Sequence, residues 1–243
     1  FRITSNLFPW CSEYQLHQLP HFESIRDTLH DIGNYVQVHG MRLTSHPGPF
    51  NVLTSPHEHV VENCITDLSI HGQVFDLMKL SHTPYNKINI HIGGVYGDKV
   101  SAMERFCKNF DRLPDSVKSR LTVENDDKAS MYSVQDLYDG VYKVIGIPIV
   151  FDYHHHRFND GGLSEREALE LAMTTWGDIV PVVHYSESRS IEQEDDKIRP
   201  QAHSDYVYDY IDTYDNRVDI MVEAKAKELA VLRYKELHLN DKR

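Results

Sequence analysis

The chain has 243 residues, with 37 Asp and Glu against 25 Lys and Arg, a formal net charge of −12. Apolar residues are 40% and charged residues 26%, an ordinary globular balance that excludes collagen-like and low-complexity chains. Apolar runs are too short for a transmembrane helix, FRITSNLFPW lacks a charged-then-apolar secretory pattern, and the acidic excess argues against sequence-independent DNA binding by the bare surface.

Seven strands are predicted along the chain: Arg2–Thr4, Met41–Ser45, Lys87–Ile92, Leu121–Glu124, Ile147–Phe151, Ile179–His184 and Val218–Val222. Between them, apolar residues at helical spacing predict helices over His21–Val38, His57–Leu80, Lys99–Lys118, Ser133–Ile145, Ser164–Trp176 and Val222–Leu237. Ser164 followed by Glu167 is a capping box. The acidic run of Glu192, Glu194, Asp195 and Asp196 predicts a solvated loop. Strands separated by helices imply parallel pairing with right-handed crossovers. The length suits one domain, residues 1–243.

Three cysteines, Cys11, Cys64 and Cys107, are odd in number and far apart. No disulfide framework is expected, which favours a reducing compartment, and with no CxxC pair a thiolate zinc site is not expected either. Histidine is the outlier: sixteen beside 37 carboxylates, a composition able to hold divalent metal ions.

Polar residues recur at the strand ends: Glu13 after the first, then His46, His91, Glu124, Asp152, His184 and Glu223, at intervals of 28 to 45 residues. A barrel of eight βα units has a period of about 31 residues and carries its chemistry at the carboxyl ends of its strands. The expected fold is therefore α/β, a TIM (β/α)8-type barrel, with an eighth strand and its helix needed before Phe1 for closure.

Each motif read singly also fits a bland role. In MRLTSHPGPF, His46 ends a strand and Pro-Gly-Pro forces a rigid turn that presents Phe50. In KINIHIGG, Asn89 and His91 share one face of the strand, where a satisfied core histidine is equally plausible. In LTVENDDK, Glu124 leaves an apolar strand. In FDYHHHRF, Asp152 and His155 form a D-x-x-H pair able to reach one ion, with His154 and His156 read as supporting or exposed. His184 in VVHYSES, His203 in AHSDY and Glu223 in DIMVEAK complete the set, while His71 and the other helical or connecting histidines are read as structural or solvated. The joint pattern, several strands delivering ligands to one level, carries the metal reading.

RITSNLFP, MRLTSHPG, HIGG, TVENDDK, FDYHHH, VHYSES and VEAKAKE, in this order over nearly the whole chain, resemble the UV damage endonucleases. The resemblance implies a barrel related to endonuclease IV and the sugar isomerases, with up to three divalent ions, typically Mn2+, and a nick in damaged double-stranded DNA 5′ to UV photoproducts and other distorting lesions. It implies metal ligation by His46, His91, Glu124, Asp152, His155, His184, His203 and Glu223, with Glu124, His91 and His184 central to catalysis. At two positions the chain departs from the family. Glu13 stands where a histidine ligand is usual, and Val182 where a lysine, thought to be carboxylated, is usual. The two changes are expected to compensate in charge, with Glu13 as the ninth ligand, so that Glu13→His would impair metal binding or cleavage.

Pro49 and Phe50 replace the family's polar residue and Tyr after HPG, and Phe50 is expected to wedge into the duplex. Lys128, Arg157 and Arg189, with Lys99, Lys197 and Arg199, are expected to form a phosphate track. Three divalent ions would outweigh four carboxylates, giving an acidic protein a cationic mouth. The resemblance further implies a monomer without membrane attachment, cytoplasmic at the nucleoid in a prokaryote or nuclear in a fungus. The alternatives are a metal-dependent sugar isomerase or epimerase on the same barrel and, less favoured, a non-enzymatic metal-binding protein.

Overall fold

The computed structural model describes residues 1–239. Its strands are β1 (Arg2–Ile3), β2 (Thr44–Ser45), β3 (Ile88–Ile90), β4 (Leu121–Glu124), β5 (Ile149–Val150), β6 (Val182–Tyr185) and β7 (Asp219–Val222), one within each predicted segment or a residue beyond it. The helices are α1 (Phe22–Val38), α2 (Glu58–Leu77), α3 (Lys99–Phe110), α4 (Asp115–Lys118), α5 (Val134–Leu137), α6 (Lys143–Ile145), α7 (Tyr153–His156), α8 (Glu165–Met173), α9 (Arg189–Glu192) and α10 (Glu228–His238).

β1 to β5 pair in parallel in chain order, and β6 pairs in parallel with β7. A parallel bridge between Asp152 and His184, with His184 N donating to the Phe151 carbonyl at 2.9 Å, joins the two sheets. The strands thus form one arc of a parallel α/β barrel, with helices packed outside it. Side chains span from β7 back to β1 and β2. Arg2 is paired with Glu223, and Arg42 Nη1 donates to Asp219 at 2.8 Å and to the Val180 carbonyl at 2.7 Å.

Two apolar assemblies result. The main core lies between sheet and helices, with Leu68, Phe75, Phe106, Val123 and Leu169 among its buried members. A second, small cluster comprises Val150, Trp176 and Val182, packed by Ile179 and Met221. Val150, Val182 and Met221 precede Asp152, His184 and Glu223 by two residues, so they share their face. This cluster is the dry floor beneath the polar mouth. Val182 is part of that floor, 2% exposed.

Several predicted helices are corrected in detail. Lys99–Lys118 divides at Pro114, which lacks an N–H and caps α4. Ser133–Ile145 holds a π turn at Tyr138–Tyr142. The last helix begins at Glu228, not Val222, because β7 continues in pairing as far as Glu223, whose N–H donates to the Tyr185 carbonyl at 2.8 Å. The Ser164–Glu167 capping box forms as predicted. Glu192, expected to be solvated, accepts from the backbone N–H groups of Asp205 and Tyr206 at 2.6 and 3.0 Å and folds the acidic loop back.

Candidate metal centre

Glu124, the last residue of β4, is 1% exposed and stands at the middle of the mouth. Its Oε2 lies 3.1 Å from His46 Nε2, which arrives from the end of β2, and 3.1 Å from His184 Nδ1, carried by β6. Asn89, on the interior face of β3, donates to the same oxygen, and Thr122 Oγ1 donates to Asn89 Oδ1 at 2.8 Å. Glu124 Oε1 faces His155 Nδ1 at 3.5 Å and His91 Nε2 at 3.9 Å. His184 Nδ1 is also 3.1 Å from Glu223 Oε1.

Three groups of potential ligand atoms overlap here: His46, His91 and Glu124; His46, His184 and Glu223; and Glu124, Asp152 and His155. Within each group the atoms lie within 4.8 Å of one another. His46 and Glu124 each belong to two groups, so the potential ligands form one connected cluster.

The surrounding backbone aims the rings. His46 Nδ1 donates to the Pro47 carbonyl at 3.2 Å, His155 Nδ1 to the Asn125 carbonyl at 2.9 Å and His203 Nδ1 to the Glu223 carbonyl at 2.9 Å. Each bond leaves Nε2 free to bind, the usual support of a ligating imidazole. His91 instead has Asp126 Oδ1 3.0 Å from its Nδ1. Asp152 is locked by its neighbour: its N–H donates to Asn125 Oδ1 at 2.8 Å, and Asn125 Nδ2 donates to its carbonyl at 3.0 Å. Asp152 Oδ1 in turn caps α7 through the His155 N–H at 2.8 Å. The D-x-x-H spacing thus works as one helical turn rather than a strand end.

The electrostatics suit a cation. Burial and the nearby carboxylates of Glu124 and Glu223 push Asp152 up to about 7 despite His155. Burial would raise Glu124 too, but His184 and His91 hold it well below the usual carboxylate range. Burial opposes protonation of His91, yet Glu124 and Asp126 carry it up to about 10. Glu124 Oε1, Asp152 Oδ2 and His184 Nδ1 are buried without a hydrogen-bond partner, a cost of about 1–3 kcal/mol per group that ligation would remove. Mixed imidazole and carboxylate donors suit borderline and hard divalent ions such as zinc and manganese, so these residues fit such ions.

Seven of the nine expected ligands therefore converge. His203 stands at the edge, its ring centre 6.3 Å from that of His155. Glu13 is exposed in the turn Cys11–Glu13 and enters none of these groups. His154 and His156 are buried rather than exposed, at 1% and 4%. They pack edge-on against Phe158 and Phe151, holding α7 in place. Lys87 was not anticipated as a site residue. It is fully buried, with Nζ 3.0 Å from His184 Nε2, and burial brings it down to about 7. The signal lay in KINIHIGG, where Lys87 alternates with Asn89 and His91 on one strand face.

At the rim, Pro49 is exposed and Phe50 is 64% exposed in the turn after His46. Its ring lies over Gly48, where a Cβ would collide with it. Gly93, at φ +110°, admits the Val52–Thr54 loop beside the β3 end in the same way. Lys128 and Arg157 are exposed, Arg157 lying over the Tyr185 ring, and Arg189 is half-buried. Lys99 is not free for phosphate, being paired with Asp136 at 2.9 Å.

Fold and site together define a parallel α/β barrel with clustered potential metal ligands at the carboxyl ends of its strands. The sequence model of the UV-endonuclease UvdE family matches residues 1–242, and the chain belongs to that family. The UV DNA damage endonuclease of Bacillus pumilus (strain SAFR-032) is 39% identical over 217 residues, covering 85% of this chain and 64% of that protein. The chain thus spans just under two thirds of that relative's length. The crystal structure of SacUVDE superposes with a TM-score of 0.82 at 33% identity, over 97% of this chain and 78% of that one. A D-tagatose 3-epimerase-like protein superposes at 0.63 with 11% identity over 97% and 85% of the two chains, a likeness of fold alone. Among the described residues no helix is long and apolar enough to cross a membrane.

Proposed function

We propose that this chain is a DNA repair endonuclease that nicks the duplex backbone 5′ to UV photoproducts and other distorting lesions. The single observation that carries the reading is Glu124: buried, ionised, and shared between two of three overlapping ligand groups, in a chain of the UV-endonuclease family. The sugar epimerase alternative has only a shared fold behind it.

Seven residues, His46, His91, Glu124, Asp152, His155, His184 and Glu223, would hold up to three divalent ions, most simply Mn2+, with His203 closing the outer edge. Such ions would supply Lewis-acid stabilisation of the charge that builds on a phosphoryl group under attack. The chain's own residues do the rest. Asn89 fixes one oxygen of Glu124, leaving the other turned to the mouth to orient the attacking water. Asp126 and the backbone carbonyls hold the imidazoles before substrate arrives, so no reorganisation is needed at the moment of reaction. The apolar floor keeps bulk water from below.

Lesion choice would come from deformability. A damaged step is already weakly stacked, so opening it costs less than opening intact duplex, by about a few kcal/mol. Phe50, held on a Pro-Gly-Pro turn, would fill the opening, and Lys128, Arg157 and Arg189 would contact phosphates.

The test is a nicking assay on a duplex carrying one photoproduct or abasic site. A single 5′ nick that requires divalent ion and vanishes with chelator is expected. An intact duplex, with turnover of a ketose sugar instead, would overturn the reading.

A further inference from the structure

Outside the mouth, on the other side of β2, three more ligand types meet. Cys11 follows β1, and Asp67 and His71 sit one turn apart on α2. Cys11 Sγ donates to Asp67 Oδ1 at 2.8 Å, and His71 Nε2 lies 3.7 Å from Asp67 Oδ2. One atom from each of the three lies within 4.8 Å of the others. Cys11 and Asp67 are 3% and 4% exposed, and a small cavity lined by Leu7, Phe8, Cys11, Ser45 and His71 adjoins them.

We propose that Cys11, Asp67 and His71 form a second, separate metal site, for a thiophilic divalent cation of the zinc class. Zinc accepts thiolate, imidazole and carboxylate together in tetrahedral sites. The manganese-type ions suited to the mouth prefer oxygen and nitrogen, so the thiolate sets the two sites apart. The three side chains supply three positions, and the cavity leaves room for a fourth ligand.

The surroundings are those of a supported site. Asn51 Nδ2 donates to Asp67 Oδ2 at 2.8 Å, fixing the carboxylate. Ser45 Oγ lies 2.9 Å from His71 Nδ1, leaving Nε2 turned to Asp67. Such outer partners set the orientation of ligands. Burial keeps the His71 ring neutral, the form that binds metal. Burial and Asp67 hold the Cys11 thiol up near 12, so an entering cation must displace its proton. The site also has a structural reach. Asn51 directly follows Phe50, so Asp67 ties the turn after β1 to the turn that carries the wedge.

The experiment is a cobalt(II) titration of the whole chain with its mouth loaded with manganese. The three mouth groups contain only nitrogen and oxygen donors, so a thiolate-to-cobalt charge-transfer band in the near ultraviolet reports the second site alone. We expect the band to saturate at one added equivalent, to vanish in Cys11→Ser, and to persist in Cys107→Ser. His71→Asn, which keeps the thiol, should weaken cobalt binding by about tenfold or more. Absence of the band in the unaltered chain, its survival in Cys11→Ser, or unchanged affinity in His71→Asn would overturn the proposal. Near-ultraviolet circular dichroism of each variant separates loss of metal from loss of fold.

Discussion

Lys87 Nζ meets His184 Nε2 at 3.0 Å, both side chains fully buried beneath the ligand cluster. This contact inverts the pattern of His46, His155 and His203, whose Nδ1 atoms face backbone carbonyls. His184 instead turns Nδ1 toward Glu124 and Glu223. For Nδ1 to offer its lone pair, the ring proton must sit on Nε2, and Lys87 must accept it as a neutral amine, since an ammonium has no acceptor. Burial, by bringing Lys87 down to about 7, makes that amine accessible. Lys87→Met should therefore lower metal affinity and nicking by about 10–100-fold, the range for a ligand's supporting partner. Isothermal titration of metal beside a circular dichroism melt checks it.

Glu124 offers a sharper contrast. Its carboxylate faces five side chains of the site and is 1% exposed, whereas Phe50 and Lys128 are exposed. Glu124→Gln keeps the shape and removes the charge. Nicking should fall by more than the roughly 100-fold seen for supporting partners, while affinity for damaged duplex changes little. Gel-shift and single-turnover nicking on one substrate separate the two.

Phe50 makes the opposite prediction. Phe50→Ala should weaken binding to a lesion-bearing duplex by about 1–3 kcal/mol, the worth of one base–aromatic stack. Metal content should not change, because Phe50 supplies no atom to any of the ligand groups. Phe50→Tyr should restore binding.

Stability rests on groups at the opposite end of the barrel. Arg120, fully buried before β4, donates to the carbonyls of Ser81, Leu80 and Ser116 at 2.8 to 2.9 Å and to Asp76 at 2.7 Å. Removing it takes the guanidinium donor from the three carbonyls, while Asp76 keeps His82 Nε2 at 2.9 Å. Arg120→Met should cost about 1–3 kcal/mol for each carbonyl left buried without a donor, read from the shift of the urea unfolding midpoint.

Much of this was legible in the sequence because strand alternation and strand order are local properties. Seven strands and the residues at their ends followed from apolar runs that stop at a polar side chain. Three features were not. The alternation in KINIHIGG puts Lys87 on the face of Asn89 and His91 but does not give its role, because its partner His184 lies 97 positions away. The Cys11, Asp67 and His71 group joins residues 56 positions apart, with no spacing motif to announce it. Glu13 was placed by analogy of position, whereas the 3-10 turn at Cys11–Glu13 buries Cys11 and leaves Glu13 outside. The supposed exchange of charge between Glu13 and Val182 therefore has no geometry behind it here. Val182 lines the apolar floor, and the amine beside His184 comes from Lys87, before β3, instead.

The most direct measurement is anomalous diffraction from crystals of the chain grown with manganese. The account predicts peaks within bonding distance of His46, His91 and Glu124, of His46, His184 and Glu223, and of Glu124, Asp152 and His155. A mouth without anomalous density at saturating manganese, or ions held only by residues outside this set, would contradict it.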